Sequence, residues 1–436
     1  MSEQAAGVLQ HDATISSRII EVQVTPVAFA DPPLLNSVGV HEPFALRAIV
    51  VVRTDTGHYG LGETYGDQQH LVRLERAADE LVGAEVFNLN QVADRVALSL
   101  VEDPGTGGHG TGGMVTTTSL MDRVLSAFDV ACLDIQGKVL GVPVSTLLGG
   151  AVRERVDFSG YLFYKWGAHP GAEPDEWGAA LDPQGIVSQA RRMVELYGFE
   201  ALKLKGGVFD PDAEAEAVEA LREAFPGMPL RIDPNGMWSV ETATRIGRRL
   251  EPVLEYLEDP CLSIQDNAEV RSRIELPIAT NMCVVSFRDL PPAIAAGAVD
   301  VVLSDHHFWG GLTRSRLLAG IADTFGLRLS MHSNSHLGIS FAAMIQLAAA
   351  TSNIDYACDT HWPWKRAQDD VIHPGVLAIE NGSVAVPTAP GLGIELDERG
   401  LARMHQQYLD CGLKQRDDTG YMRSINPSFE LKCPRW

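Results

Sequence analysis

Six short apolar runs, each ending in a polar residue, recur through the middle of the chain at nearly constant intervals. They read Ala201-Leu202-Lys203-Leu204-Lys205, Leu230-Arg231-Ile232-Asp233, Tyr256-Leu257-Glu258, Ile278-Ala279-Thr280-Asn281, Val301-Val302-Leu303-Ser304-Asp305 and Leu329-Ser330-Met331-His332. From Lys205 onward the closing polar residues are separated by 28, 25, 23, 24 and 27 positions. A strand–helix unit of a parallel barrel takes about 25–35 residues, and such barrels keep their chemistry at the C-terminal mouth of the strands. The spacing therefore predicts that an amine, two carboxylates, an amide, a third carboxylate and an imidazole ring one cavity.

The text between the runs reads as helices. Residues 212–225 start acidic and stop at Pro226-Gly227. Ser239 can cap a helix through Thr244 and Leu250, and residues 312–325 form a helix with Gly326 after its end. Strand–helix alternation over roughly 230 residues calls for a parallel sheet with helices outside, and a closed barrel fits it better than an open sheet. Residues 18–62 differ. A β-branched stretch from Arg18 to Phe29 precedes Ala48-Ile49-Val50-Val51-Val52, which runs through Thr54-Asp55-Thr56-Gly57 into residues 58–63, a hairpin signal. Leu120, Val124, Phe128, Ala131, Cys132 and Ile135 then recur at helical intervals before Gly141 and Pro143. The expected organisation is an α+β domain over residues 1–150, a barrel over 151–387, and a segment 388–436 that returns to the first domain.

Composition narrows the function. A net charge of −22 argues against a polyanionic partner such as nucleic acid, and an anionic substrate would need a metal and local cations to overcome that background. No apolar run approaches a membrane span, and the start Met-Ser-Glu-Gln-Ala-Ala lacks a basic and an apolar leader region, so a cytoplasmic location is expected. Six cysteines without CxxC spacing read as incidental thiols. Gly105-x-Gly107-x-x-Gly110 matches a dinucleotide fingerprint but follows Glu102-Asp103-Pro104 where a strand is required, so nucleotide binding is set aside. His306-His307 is set aside as a metal pair because adjacent strand residues point to opposite faces.

The six strand-end residues divide by chemistry. Asp233, Glu258 and Asn281 offer only oxygen, the donor set of Mg²⁺, and their two carboxylates balance a divalent charge. One such residue usually caps the next helix; three at successive strand ends favour a metal site. Lys203 and Lys205 flank Leu204 and so share one strand face, where mutual repulsion is expected to lower the pKa of at least one toward a useful base. Asp305, one unit before His332, can hold one ring nitrogen and leave the other for proton transfer. Lysine and histidine on opposite sides of the cavity could serve both faces of a carbon acid. A racemase or epimerase would use the same two bases. A non-catalytic metal-binding barrel would have no need of the complete set. A phosphate-binding isomerase or aldolase should show a glycine-rich loop where this chain has His332-Ser333-Asn334-Ser335-His336.

Lys203-Leu204-Lys205, Asp233-Pro234-Asn235, Glu258-Asp259-Pro260 and the pairing of Asp305 with His332 resemble the mandelate-racemase branch of the enolase superfamily. Its sites combine a Lys or His base with Mg²⁺ to stabilise an ene-diolate. Ala30-Asp31-Pro32-Pro33-Leu34-Leu35-Asn36 through His41, Lys205-Gly206-Gly207-Val208, Thr280-Asn281-Met282, His307-Phe308-Trp309, Asp359-Thr360-His361-Trp362 and Arg416-Asp417-Asp418 are similar to the glucarate dehydratases within that branch, over nearly the whole chain. The resemblance implies an α/β fold, a modified TIM barrel of (β/α)7β type, with an α+β capping domain built from the N-terminal region and the C-terminal segment. It implies Lys205 as base, Lys203 as its electrostatic partner, and His332, supported by Asp305, as the second acid/base that protonates a departing hydroxyl. Asp233, Glu258 and Asn281 would hold Mg²⁺, and substrate contacts would fall on Asn36, His41, Tyr161, Asn235, Ser333, Asn334, His361 and Arg416. The implied activity is dehydration of an acid sugar, a dicarboxylate and foremost D-glucarate, to a 4-deoxy-5-keto product by a homo-oligomer. Arg416 is the residue expected to grip a carboxylate in bidentate fashion. Two stretches depart from the family pattern. Residues 105–113 with Met114-Val115-Thr116-Thr117-Thr118 replace a loop expected to carry a substrate-contacting threonine, and residues 165–182 are longer than expected. Both lie near the expected lid.

Overall fold

Seven parallel strands stand in chain order in one curled sheet: Gly160–Phe163, Leu202–Lys205, Leu230–Asp233, Tyr256–Glu258, Ile278–Thr280, Val301–Ser304 and Arg328–Met331. The computed structural model describes residues 16–103 and 119–436; the glycine-rich stretch 105–113 and the following 114–118 lie outside them. Residues 354–359 join the two edges of the sheet. Leu329 bridges to Ile354 and Phe158 to Cys358, both in parallel, while the Asp359 N–H donates to Met331 and the Cys358 N–H to Asp157. An eighth strand is thus reduced to two bridges, and the expected modified barrel is present.

Helices follow the strands because their ends are specified locally. Pro183–Tyr197 starts at Asp182, whose carboxylate accepts the Gly185 N–H, and stops at Gly198 in the left-handed region. Val240–Leu250 is capped by Ser239, which accepts the Thr242 N–H, and Pro211–Ala224 by Asp210. Leu312–Thr324 is followed by Gly326 at φ 71°. Alternation along the strands sends Leu202, Leu204, Ile232, Leu257 and Ile278 into the large core beneath the helices. The inward faces differ from one side of the barrel to the other. Lys203, Lys205, Arg231, Asp233 and Glu258 are buried charges, whereas Tyr256, Ala279, Val301 and Leu303 form a small apolar cluster.

The N-terminal region forms an antiparallel sheet, Ile19–Ala30, Phe44–Thr54 and Tyr59–Tyr65, with Phe44–Thr54 in the centre. The expected hairpin turns at Gly57, φ 81°. Helices Gln68–Leu81, Leu89–Ser99 and Leu120–Leu140 join it in a second core. Gly60 and Gly62 are required there. A Cβ on either would come within 2.0 or 2.1 Å of the carbonyl oxygens of Ala131 and Ala127, so only glycine lets the long helix lie on the strand. From the C-terminal segment, helix Glu398–Cys411 lies along Ile19–Ala30, with the Gln407 amide donating to the Ala28 carbonyl, and Thr419 of helix Asp418–Ile425 donates to Val38. The last residues then turn back to the barrel, where the Arg435 N–H donates to Met237. No helix among the described residues is long and apolar enough to cross a membrane. Cys132, Cys261, Cys283 and Cys358 are buried free thiols.

Candidate active site

Register decides which strand-end residues meet. Lys205 lies opposite Asp233 in the parallel pairing, and Ser304 opposite Met331, so Asp305 and His332 leave adjacent strands side by side. A cavity opens at this mouth. Lys205, Asn235, Asn281, His332, Ser333, Asn334, Tyr161 and His361 line it from the barrel, and Asn36 and His41 from the capping region. All seven expected substrate contacts other than Arg416 therefore line it. Phe163, Met282 and Ser335 also line the cavity.

The charged floor is densely paired. Lys203 Nζ lies 2.6 Å from Asp359 Oδ2, 2.7 Å from Glu258 Oε1 and 3.7 Å from Asp233 Oδ2, while Lys205 Nζ donates to Asp233 Oδ2 at 2.7 Å. Burial alone would push Lys203 toward its neutral form, but Asp359 and Glu258 outweigh it and hold the ammonium well above its ordinary range. The expected lowering by lysine–lysine repulsion thus does not operate at Lys203, because opposite charges lie closer than the like one. Burial also raises Asp233, and Lys205 with Lys203 reverses this and brings its carboxyl to about 2. Tyr161 lies beneath both ammonium groups, its ring centroid 4.7 Å from Lys203 Nζ and 5.9 Å from Lys205 Nζ.

Oxygen donors gather beside the lysines. One oxygen each of Asp233, Glu258 and Asp259 lies within 4.8 Å of the others. Asp259 is otherwise engaged, accepting the Thr280 hydroxyl at 2.6 Å and the Asn281 N–H at 2.7 Å, so it positions Asn281. Burial and the nearby Asp233 push its carboxyl up to about 7. Burial raises Glu258 too, and although Lys203 opposes this, Asp233, Asp359 and Asp259 add to it, leaving the group well above its ordinary range. A cation would relieve that crowding. Asn235 and Asp259 hold positive φ values of 52° and 37°, unusual for residues with a Cβ and typical of strain kept at a site. The buried Asn235 Oδ1 has no hydrogen-bond partner, while its amide donates to Asp233 Oδ1 at 2.9 Å. All-oxygen donors, crowded carboxylates and the unpartnered Asn235 amide oxygen fit a hard divalent cation.

Across the cavity, His332 Nδ1 lies 3.0 Å from Asp305 Oδ2. Burial would raise Asp305, but His307 and His332 outweigh it and keep the carboxylate ionised. The closing segment and the first strand separate this pair from Lys205 on one side, and three strands on the other. His306 and His307 do not obey the strand geometry expected of them. The chain leaves the strand at Ser304, and their rings lie 3.9 Å apart inside the protein. Neither lines the cavity. Both His307 nitrogens are engaged by protein groups.

Arg416 sits one layer behind the cavity. It forms a two-point pair with Asp418 at 2.8 and 3.1 Å and lies 3.4 Å from Asp31. Those same carboxylates hold two cavity residues, Asp418 accepting from Asn36 at 2.8 Å and Asp31 meeting His41 at 3.1 Å. Arg416 lines a smaller neighbouring cavity that shares Asn334 and Ser335 with the main one. Ser333 holds His361, with its hydroxyl 3.1 Å from Nδ1, and burial keeps that ring neutral. The longer stretch 165–182 is anchored by the buried Lys165, which donates to the carbonyls of Trp166 and Gly178 and pairs with Asp175. Its His169 reaches the Asp31 carbonyl at 2.8 Å, so this stretch packs on the capping residues. Asp359 was not among the expected site residues; it belongs to the closing segment, which lacks an apolar run.

A capped barrel with this ring of residues is the architecture of one superfamily, and the chain belongs to it. Residues 19–149 match the mandelate racemase / muconate lactonizing enzyme N-terminal domain family and residues 185–400 the enolase C-terminal domain-like family. Within the superfamily the protein is glucarate dehydratase-like, an acid-sugar dehydratase and hence a hydro-lyase. It is 49% identical to a probable glucarate dehydratase of Streptomyces coelicolor over 98% of this chain and all of that one. An enolase from Mycobacterium smegmatis complexed with tartrate is 61% identical, with a TM-score of 0.93 over 97% of this chain and all of that one. An enolase from Gibberella zeae complexed with magnesium, formate and sulfate is 58% identical, with a TM-score of 0.95 over 96% of this chain and 98% of that one.

Proposed function

We propose that this protein is a Mg²⁺-dependent dehydratase of six-carbon sugar diacids, with D-glucarate as substrate and 5-keto-4-deoxy-D-glucarate as product. One observation carries the reading: Lys205 and the Asp305–His332 pair face a single cavity from separate parts of the strand ring, beside an oxygen-only donor cluster. The tartrate bound by the Mycobacterium smegmatis relative, itself a hydroxy diacid, and the magnesium of the Gibberella zeae relative support it.

Asp233, Glu258 and Asn281 would hold Mg²⁺, which supplies positive charge to the carboxylate next to the acidic carbon. Lys203, kept protonated by Asp359 and Glu258, adds fixed positive charge beneath that position. Lys205, as the free amine, takes the α-proton; the C–H electron pair becomes a carbon–carbon double bond as the β-carbon–oxygen bond breaks. His332 gives its Nε2 proton to the departing hydroxyl, which leaves as water, while Asp305 holds Nδ1. The enol loses its O–H proton and gains one at the β-carbon to give the ketone, so the net change is loss of one water. For a substrate of opposite configuration, His332 takes the α-proton from its own face. Asn36 and His41 would meet the distal carboxylate, with Arg416 holding them through Asp418 and Asp31.

The test is a panel of acid sugars incubated with purified protein and Mg²⁺ and assayed for α-keto acid. Glucarate should be turned over, and its C5 epimer L-idarate is the next candidate, with the monoacid gluconate poor. Activity confined to a monoacid sugar or galactarate would overturn the substrate assignment.

A further inference from the structure

Asp305 serves two histidines. Its Oδ2 meets His332 Nδ1, while its Oδ1 accepts both the backbone N–H of His307 at 2.9 Å and His307 Nδ1 at 2.7 Å. The far nitrogen of His307, Nε2, lies 2.9 Å from Arg47 Nη2 and 2.9 Å from the Ser340 hydroxyl. A guanidinium can only donate, so Nε2 must carry the lone pair and the ring proton must sit on Nδ1, where it donates to Asp305. Arg47 is fixed in turn. Its Nε donates to Glu63 Oε1 at 2.9 Å, and Glu63 also accepts the N–H groups of Leu337 and Ser340, both at 2.8 Å. Arg47, Glu63 and His307 are each at most 4% exposed, so water cannot take the place of these partners. His307 is wedged between His306 and Tyr65, their centroids 3.9 and 5.5 Å away.

Arg47 and Glu63 belong to the capping sheet, and His307 and Asp305 to the barrel mouth. We propose that His307, locked in one tautomer by Arg47 of the capping domain, is the positioning residue of the Asp305–His332 pair, so that proton transfer at His332 depends on a capping-domain arginine whereas transfer at Lys205 does not. The inference rests on the reading of Lys205 and His332 as the two bases. Without the Nδ1–H donor, Asp305 Oδ1 keeps one backbone bond and the carboxylate can rotate, which misaims Oδ2. Without Arg47, His307 can move its proton to Nε2, which would turn a lone pair toward Asp305 Oδ1.

The experiment follows deuterium entry at the acidic carbon of glucarate and L-idarate in D₂O, resolved by face. In His307→Phe, exchange on the His332 face and dehydration should fall tenfold or more while exchange on the Lys205 face stays within twofold. Arg47→Gln should show the same pattern, and His307→Asn, whose amide N–H can stand near the Nδ1–H position, should recover most of the loss. Separately, ring-¹⁵N NMR of substrate-free protein should show His307 protonated at Nδ1 only. Equal loss on both faces, no loss on either, or a His307 ring carrying its proton on Nε2 would overturn the assignment. A wild-type protein that exchanges on neither face would instead overturn the reaction on which it rests. If His307→Phe does not fold, Arg47→Gln and the NMR measurement still decide.

Discussion

Asp359→Asn isolates the charge beneath the site without changing its shape. In the native floor Lys203 meets Glu258 and Asp359, Lys205 meets Asp233, and Lys203 and Asp359 are both fully buried. Breaking a buried ion pair by neutralising one partner costs about 3–5 kcal/mol, because the other charge stays desolvated. Lys203 keeps Glu258, so the low end, about 3 kcal/mol, is expected. Urea unfolding followed by tryptophan fluorescence measures it. Lys203→Met should cost a similar amount, and the double variant less than the sum, since removing both charges removes the debt. Lys203 binds its proton more tightly folded than unfolded, so its contribution is complete below about pH 10 and is lost only as pH rises toward the folded value. The Asp359→Asn deficit should therefore be equal at pH 6 and pH 8. A loss below about 1 kcal/mol, the worth of an exposed pair, would refute this account of the floor.

Other expectations follow from the same geometry. EDTA should abolish activity and Mg²⁺ restore it better than Zn²⁺; Asp233→Ala or Glu258→Ala should lose Mg²⁺ binding by calorimetry while circular dichroism is retained. Asp233 has its carboxyl lowered to about 2 in the fold, so its stabilisation is present above about pH 4 and fades as pH falls toward 2. Acid unfolding of Asp233→Asn should accordingly be shallower over that range than that of the parent. Arg416→Met should raise KM for a diacid by roughly 10- to 150-fold, about 1.5–3 kcal/mol for charged hydrogen bonds, through release of Asn36 and His41. Unchanged KM would place the diacid contacts elsewhere.

What could be read from the sequence was what local pattern controls. Apolar runs closed by Lys205, Asp233 and Glu258 are strands that end on those residues, and Asn281, Asp305 and His332 follow their strands by one position. The caps at Ser239 and after Leu312–Thr324 were legible for the same reason. Non-local charge was not. The repulsion between Lys203 and Lys205 is visible in three letters, but the carboxylates that reverse its effect on Lys203 lie 55 and 156 residues away. Asp359 is carried by a segment, Ile354-Asp355-Tyr356-Ala357-Cys358-Asp359, whose two bridges need no apolar alternation. Arg47 and His307 meet across 260 residues, and only the docking of the capping sheet on the barrel brings them together.

The central claim is that two bases address opposite faces of one acidic carbon. Proton NMR of glucarate and L-idarate in D₂O with Mg²⁺ tests it most directly, using the parent, Lys205→Ala and His332→Ala. Lys205→Ala should lose exchange on one face and, with it, dehydration of the epimer whose α-proton it takes, and His332→Ala should lose exchange on the other face together with dehydration of both. Normal exchange into both epimers by Lys205→Ala would contradict the account.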